Sequence, residues 1–316
     1  MPPPSVAVID IGSNTIKLLV ARQGPDGALQ TECFDSRDAR ISTGIGQANP
    51  QLTRESMACG VAAVRELLAV ALAFQPVRTV LVATSAVRDA QNGRTFCELM
   101  QTATGHVIRI LSGREEANLI GSGLTCDPAL AGLQDFYVFD LGGGSLECLA
   151  FEKRRMRQAA SLPLGCVRLT EKLFPAPAQP LPADAAAQIA QRCTAAFHSA
   201  DFRFDLPRGA VAVGTGGTPT VALAIEAARA GSARRENPAL LTLAQLKAQF
   251  HAFNALSLAE RRKIPGLPPA RADVYPTALA TLISVAELGG FDCFRHSHYN
   301  LRYGLARETL DSLPAV

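Results

Sequence analysis

The feature that most constrains this chain is a short block that occurs twice. At Val138-Phe139-Asp140-Leu141-Gly142-Gly143-Gly144-Ser145-Leu146-Glu147 an apolar run ends in an acid. Three glycines and a hydroxyl follow, and a second acid stands just beyond. The run predicts a buried strand and the glycines a tight turn into a second strand over Leu146–Phe151. About 130 residues earlier, Val6-Ala7-Val8-Ile9-Asp10-Ile11-Gly12-Ser13-Asn14-Thr15 follows the same plan, with a second strand over Ile16–Ala21. Either block alone reads as an ordinary hairpin with a glycine turn. Two of them, each with an aspartate before the glycine, predict a repeated device that opens each half of the chain. Glycine lacks a Cβ, so its backbone N–H can approach a ligand closely. A phosphate is the usual guest of such a concave set of donors. Asp140 and Glu147 are then placed to carry a hard cation or to polarise water.

A length of 316 residues suits one large or two ordinary domains. With 48% hydrophobic and 19% charged residues the chain reads as globular. A net charge of +3 is too weak to argue for a nucleic-acid partner. No apolar run reaches membrane-spanning length, and Met1 leads through three prolines into a strand without a charged-then-apolar leader, so a cytoplasmic protein is expected. The eight cysteines form no Cys-x-x-Cys pair and read as reduced core residues rather than disulfides or a zinc site. His296 and His298 could share a strand face, but metal ligation there is the weaker reading.

Between the two blocks, a strand is expected over Ala28–Phe34. A helix capped by Thr53 should follow, with Met57, Val61, Val64, Leu68 and Leu72 facing the core. A short strand over Val80–Ala83 runs into Thr84-Ser85-Ala86-Val87-Arg88-Asp89-Ala90. That hydroxyl-rich strand end, leading into a helix with Arg88, resembles an anion-contacting corner; it equally describes a capped helix with a surface arginine. After a strand over Val107–Leu111, Ser112 and Glu115 have capping-box spacing, which gives Glu115 a structural role. Glu116 has none. In the first turn of a helix the dipole favours its ionised form, as a general base requires.

A polar joint over 124–135 marks the expected domain boundary. Strands should follow near 136–141, 145–151 and 157–162, with Lys153, Arg154, Arg155 and Arg157 at a solvated hairpin tip. A helix opens at Leu164-Gly165-Cys166-Val167, a proline-rich connector covers 175–182, and a second helix covers 184–199. Ala210–Val213 then enters a third glycine turn, Gly214-Thr215-Gly216-Gly217-Thr218, with a helix behind it, another natural anion site. Helices near 242–255 and 273–288, a strand near 293–297 and a closing helix over Leu301–Leu310 carrying Arg302 complete the reading.

These motifs, with Leu301-Arg302-Tyr303-Gly304, resemble those of the exopolyphosphatase/guanosine-pentaphosphate phosphatase family in its short form, over Val6 to Glu308. The resemblance implies an α/β fold of two actin-like, ribonuclease-H-like domains facing across a central cleft. The domains would be 1–126 and 127–316, with the last helix, about 301–312, packing back on the first. It implies that Glu116 activates the attacking water and that Arg88 grips the terminal phosphate. Asp10, Asp140 and Glu147 would hold Mg²⁺, Glu147 also ordering the water. Gly12, Ser13, Asn14, Thr15, Gly142, Gly143, Gly144, Ser145, Gly216, Gly217 and Thr218 would line the phosphate chain. Three departures stand out. Leu146 replaces a common threonine, His298 a common aspartate, and the C-terminal helical extension of longer relatives does not follow. The implied activity is release of terminal orthophosphate from short inorganic polyphosphate. The alternatives are conversion of guanosine pentaphosphate to the tetraphosphate and a phosphonucleotide sensor without turnover. A homodimer is implied, with neither nucleic acid nor membrane as partner.

Overall fold

The computed structural model describes residues 3–176, 179–231 and 239–314. The chain divides into two units, Met1–Gly132 with Tyr299–Val316, and Leu133–His298.

In the first unit, β1 (Ser5–Ile11), β2 (Thr15–Gln23) and β3 (Leu29–Asp38) form an antiparallel meander. Helix α1 (Arg54–Leu72) then leads to β4 (Arg78–Ala83), which pairs parallel with β1. Next come α2 (Ser85–Arg88), α3 (Gly93–Thr104), β5 (Ile108–Ile110), parallel to β4, and α4 (Gly113–Thr125). The sheet order is β3-β2-β1-β4-β5. The pattern of each strand follows its place. Central β1 is buried along almost its whole length, hence the unbroken apolar run. Edge strand β3 alternates and carries charge.

Helix α1 buries Met57 and Val64 of the expected stripe, but its inward face is rotated away from Leu72. Met57, Gly60, Val64, Leu67 and Ala71 are buried, whereas Leu72 is 72% exposed. Steps of four overshoot the 3.6-residue turn, so the expected stripe drifts around the helix, while alternating steps of three and four stay on one face. Gly60 belongs to that face because the Phe96 ring and Ile41 pack closely on it, 3.0–3.1 Å from where a Cβ would stand. The helix expected around Arg88 is broken in two. The Asn92 side chain is tied to both the N–H and the carbonyl of Leu52, at 2.8 Å each, which holds the chain out of helix between α2 and α3.

The second unit repeats the plan. β6 (Phe136–Leu141), β7 (Leu146–Glu152) and β8 (Arg155–Leu162) form a meander, followed by α5 (Cys166–Leu173) and α6 (Ala185–Ser199). β9 (Val211–Gly216) pairs parallel with β6 and runs into α7 (Gly217–Ala230). Then come β10 (Leu240–Thr242), α8 (Leu243–Asn254), α9 (Leu258–Arg261), α10 (Tyr275–Gly289) and β11 (Cys293–His296), parallel to β9. The order β8-β7-β6-β9-β11 reproduces that of the first sheet, with β10 added at the far edge. In the connector over 175–182, residues 177 and 178 lie outside the described residues. The last helix, α11 (Leu301–Asp311), is counted with the first unit, where it packs on α4, β1 and β2.

All eight cysteines are free thiols, but only Cys148, Cys166 and Cys193 are core residues; Cys59 is exposed on α1. Among the described residues no helix is long and apolar enough to cross a membrane.

Candidate active-site residues

In the first unit the Gly12–Thr15 turn joins β1 to β2, and it is tight: a Cβ on Gly12 would lie 2.9 Å from the Thr15 carbonyl. Ser13, Asn14 and Thr15 are all buried. The Ser13 hydroxyl lies 3.2 Å from that of Ser85 at the start of α2, and Thr15 Oγ1 donates to Asp38 Oδ1 at 3.1 Å. The loop after β3 clasps the turn, with the Arg40 N–H on the Asn14 carbonyl and the Ser42 N–H on that of Ser13. Asp10 ends β1. Its Oδ2 is 3.4 Å from Arg302 Nη1, and its Oδ1 is buried with no hydrogen-bond partner.

The α4 N-terminus forms as its sequence dictates. Ser112 Oγ accepts from the Glu115 N–H and Glu115 Oε2 accepts from the Ser112 N–H, a complete capping box. Those bonds from Ser112, with Arg109 alongside, hold the Glu115 carboxyl down at about 2. With Glu115 so engaged, Glu116 points inward and is 6% exposed. Arg88 Nη1 donates to Glu116 Oε2 at 2.8 Å and to the Leu111 carbonyl at 2.9 Å, while Arg88 Nε reaches Asp89 at 3.3 Å. The strand end and the helix start, unrelated in sequence, therefore bring the expected base and the expected phosphate-gripping arginine into one charge-assisted pair.

In the second unit the triple-glycine turn is held from behind. The N–H groups of Cys166, Val167 and Arg168, at the start of α5, donate to the Gly142 and Gly143 carbonyls, and Arg168 Nε donates to the Gly144 carbonyl at 2.7 Å. The Gly142 N–H closes the turn on the Ser145 carbonyl at 3.0 Å. Gly165 is a glycine because a Cβ there would collide with the backbone of Gly143 and Gly144. Asp140 and Glu147 are register partners, so both side chains leave the same face of the β6–β7 pair. Thr215 flanks Asp140 on β9, and Ser161 Oγ donates to Glu147 Oε1 at 2.7 Å. Two carboxylates set directly opposite repel. In the first hairpin the equivalent pair is Asp10 and Lys17, with opposite charges. The all-oxygen donor set at Asp140 and Glu147 is of the kind a hard divalent cation takes. The described residues include no group of three or more His, Cys, Asp or Glu side chains arranged to hold a metal.

Gly216 adopts φ +86°, where a Cβ would also strike Asp140 Oδ1. Asp140 thus lies against the third glycine turn. Gly217 opens α7, and a Cβ on it would meet the Arg271 guanidinium. Thr218 is buried behind that first turn. Arg271 lies in a proline-rich stretch without periodicity, which is why sequence reasoning missed it. Leu146 is fully buried in the core. His298 is exposed beside His296, whose Nε2 lies 2.9 Å from Thr220 Oγ1.

Twin sheets of ribonuclease-H-like order, each opened by a hairpin with an Asp-x-Gly turn, define an actin-like protein. More specifically, the chain belongs to the Ppx/GppA phosphatase family, which it matches over residues 19–313. It is 30% identical over 322 residues to the guanosine-5'-triphosphate,3'-diphosphate pyrophosphatase of Aliivibrio fischeri (strain MJ11), covering 98% of this chain and 60% of that protein. The protein of the same name from Vibrio vulnificus is 31% identical over 315 residues, with the same coverage. The chain thus spans about 60% of the length of these curated relatives. Among solved structures it resembles the Aquifex aeolicus PPX-GPPA enzyme, with TM-score 0.75 and 25% identity over 97% of this chain and 100% of that one. An exopolyphosphatase from Cytophaga hutchinsonii shares the fold, with TM-score 0.85 and 21% identity over 98% of each chain.

Proposed function

We propose that this protein hydrolyses a terminal phosphoanhydride, releasing orthophosphate from short inorganic polyphosphate. The observation that carries the reading is the buried Glu116 carboxylate, left over from the capping box and paired at 2.8 Å with Arg88. Hydrolysis of such a bond passes through a loose transition state with charge spread over the phosphoryl oxygens, so positioning and electrostatics dominate. Glu116 takes the proton from the attacking water. Arg88, held in place by the Leu111 carbonyl, neutralises the terminal phosphoryl group. Amides of Gly143, Gly144, Gly216 and Gly217 are the anion-holding donors, with Arg271 beside the last of them. Asp140 and Glu147 are the residues that would hold Mg²⁺. Bound there, the ion would neutralise charge on the phosphate.

The second reading is removal of the terminal phosphate of guanosine pentaphosphate, favoured by the printed names of the 30% and 31% identical relatives. Phosphate release measured side by side on short polyphosphate, long polyphosphate and guanosine pentaphosphate separates the two. Glu116→Gln should keep the fold and lower turnover by about 10²–10⁴-fold. Turnover near wild type in that variant would refute the assignment. Tight binding of the nucleotide without phosphate release in the wild type would make the protein a sensor instead.

A further inference from the structure

The triple-glycine turn is assigned above to hold the phosphate, and the inference here rests on that reading. Each glycine carbonyl of the turn is bound by the start of α5. The Cys166 N–H donates to the Gly142 carbonyl at 3.0 Å, and the N–H groups of Val167 and Arg168 donate to that of Gly143 at 2.8 and 3.1 Å. The Gly144 carbonyl takes the Arg168 Nε–H at 2.7 Å. Gly165, at the N-cap of α5, has no side chain to bind the first N–H groups of the helix, so the turn itself caps α5. No peptide bond among the described residues is cis. In a planar trans peptide the N–H points opposite to the C=O. With the carbonyls turned onto α5, the N–H groups of Gly143, Gly144 and Ser145 are turned away from it, as a cradle for an anion requires. The first unit treats its own glycine turn in the same way, with the Ser13 and Asn14 carbonyls held by the N–H groups of Ser42 and Arg40. The bonds from α5 are not equivalent. Those to Gly142 and Gly143 come from backbone N–H groups, which every substitution except proline preserves. The bond to Gly144 comes from a side chain. Without it, the peptide that follows Gly144 can rotate, because glycine imposes no Cβ restraint, and its carbonyl oxygen would then face the anion.

We propose that Arg168 is a positioning residue, which holds the Gly144–Ser145 peptide with its N–H toward the phosphate and acts through its Nε–H rather than its charge. Loss of one preorganised donor of this kind costs about 10²–10³-fold in turnover.

The experiment compares wild type with Arg168→Gln, Arg168→Lys and Arg168→Met. Glutamine carries an N–H donor as many bonds from Cα as arginine Nε, so it keeps the donor and loses the charge. Lysine keeps the charge but has a carbon at that place, and methionine has neither donor nor charge. Phosphate release is measured on whichever substrate the wild type turns over, and binding of inorganic phosphate is measured by calorimetry. Arg168→Met and Arg168→Lys should lower kcat/KM by about 10²-fold. Arg168→Gln should stay within about fivefold of wild type, the difference between a charged and a neutral donor. Inorganic phosphate should bind about tenfold more weakly to the Met and Lys variants, and nearly as well to Arg168→Gln as to wild type. Arg168→Met as active as wild type would overturn the assignment. So would Arg168→Gln as slow as Arg168→Met, and an active Arg168→Lys beside a slow Arg168→Gln would show the charge meeting the phosphate directly. If the wild type turns over none of the substrates but binds phosphate, the proposed function fails, and the order of phosphate affinities decides the role of Arg168. If the wild type does neither, the cradle and this proposal fall together. If Arg168→Met does not fold, the other two variants carry the test, and Arg168→Gln no faster than Arg168→Lys refutes the proposal.

Discussion

Substitution of Gly123 by alanine sets two effects against each other. In a helix interior, alanine is favoured over glycine by about 0.8–1 kcal/mol. At Gly123, however, the new methyl would land on the Asn300 carbonyl, and at Gly304 on the Leu119 carbonyl. Both obstacles are backbone, so no rotamer change relieves them, and α4 and α11 must separate. Overpacking of this kind costs about 1–3 kcal/mol. With backbone in the way the upper part of that range applies, about 2–3 kcal/mol, so the net expectation is a loss of about 1–2 kcal/mol for either Gly123→Ala or Gly304→Ala. For a unit of about 150 residues that lowers Tm by roughly 2–8 °C. The double variant should cost less than the sum, since helices already parted for one methyl have room for the second. Turnover should fall more than stability does, because α4 carries Glu116, and a displacement near 1 Å costs about 10²-fold when it misplaces a reacting group. The assay is a thermal melt of the two single variants and the double, with phosphate release measured on each. A Tm equal to or above wild type in both singles would show that helix propensity wins and that the two backbones are not in contact.

Gly165→Ala should leave both sheets intact but push the triple-glycine turn off α5; far-UV circular dichroism should match wild type while phosphate release is largely lost. Ser112→Ala removes the α4 cap and should cost about 1 kcal/mol, seen as a lower Tm for the first unit. The pH dependence of the second unit should carry the signature of His296. Burial, with His298 alongside, pushes its imidazole down to about 4, against about 6.5 in an unfolded chain. Between those values the unfolded chain binds more protons, so this contribution is intact above about pH 6.5 and is lost as the pH falls toward 4. Thermal melts from pH 7 to 4.5 should show a steeper decline in wild type than in His296→Gln, and parallel curves would contradict this.

The sheets were legible because central strands buried on both faces leave long apolar runs, and β1 and β6 each carry an aspartate as their last residue but one, two positions before a glycine. The fate of Glu115 could be read from its spacing to Ser112 alone, since a capping box is a local device. What could not be read depends on contacts between distant segments. The break between α2 and α3 comes from Asn92 bonding to Leu52, forty residues away. The inward face of α1 is decided by Phe96 and Ile41 packing on Gly60. Strand β10 has three residues, too few to show a period. Arg271 and Arg302 stand in stretches whose composition suggests a loop and a plain amphipathic helix. Only the glycine they crowd, in one case, and the acid they reach, in the other, show where they sit.

The first unit is built from both ends of the sequence, whereas Leu133–His298 is one continuous segment. During synthesis, segments tend to fold as they emerge, earliest first. Here the order should invert. The later-made body can close by itself, while β1 and β2 wait for α11, the helix that covers them, until some three hundred residues have left the ribosome. For that interval the most apolar strand of the earlier-made sheet has no roof, and a nascent chain stalled before Leu301 should be captured by chaperones through its amino-terminal third.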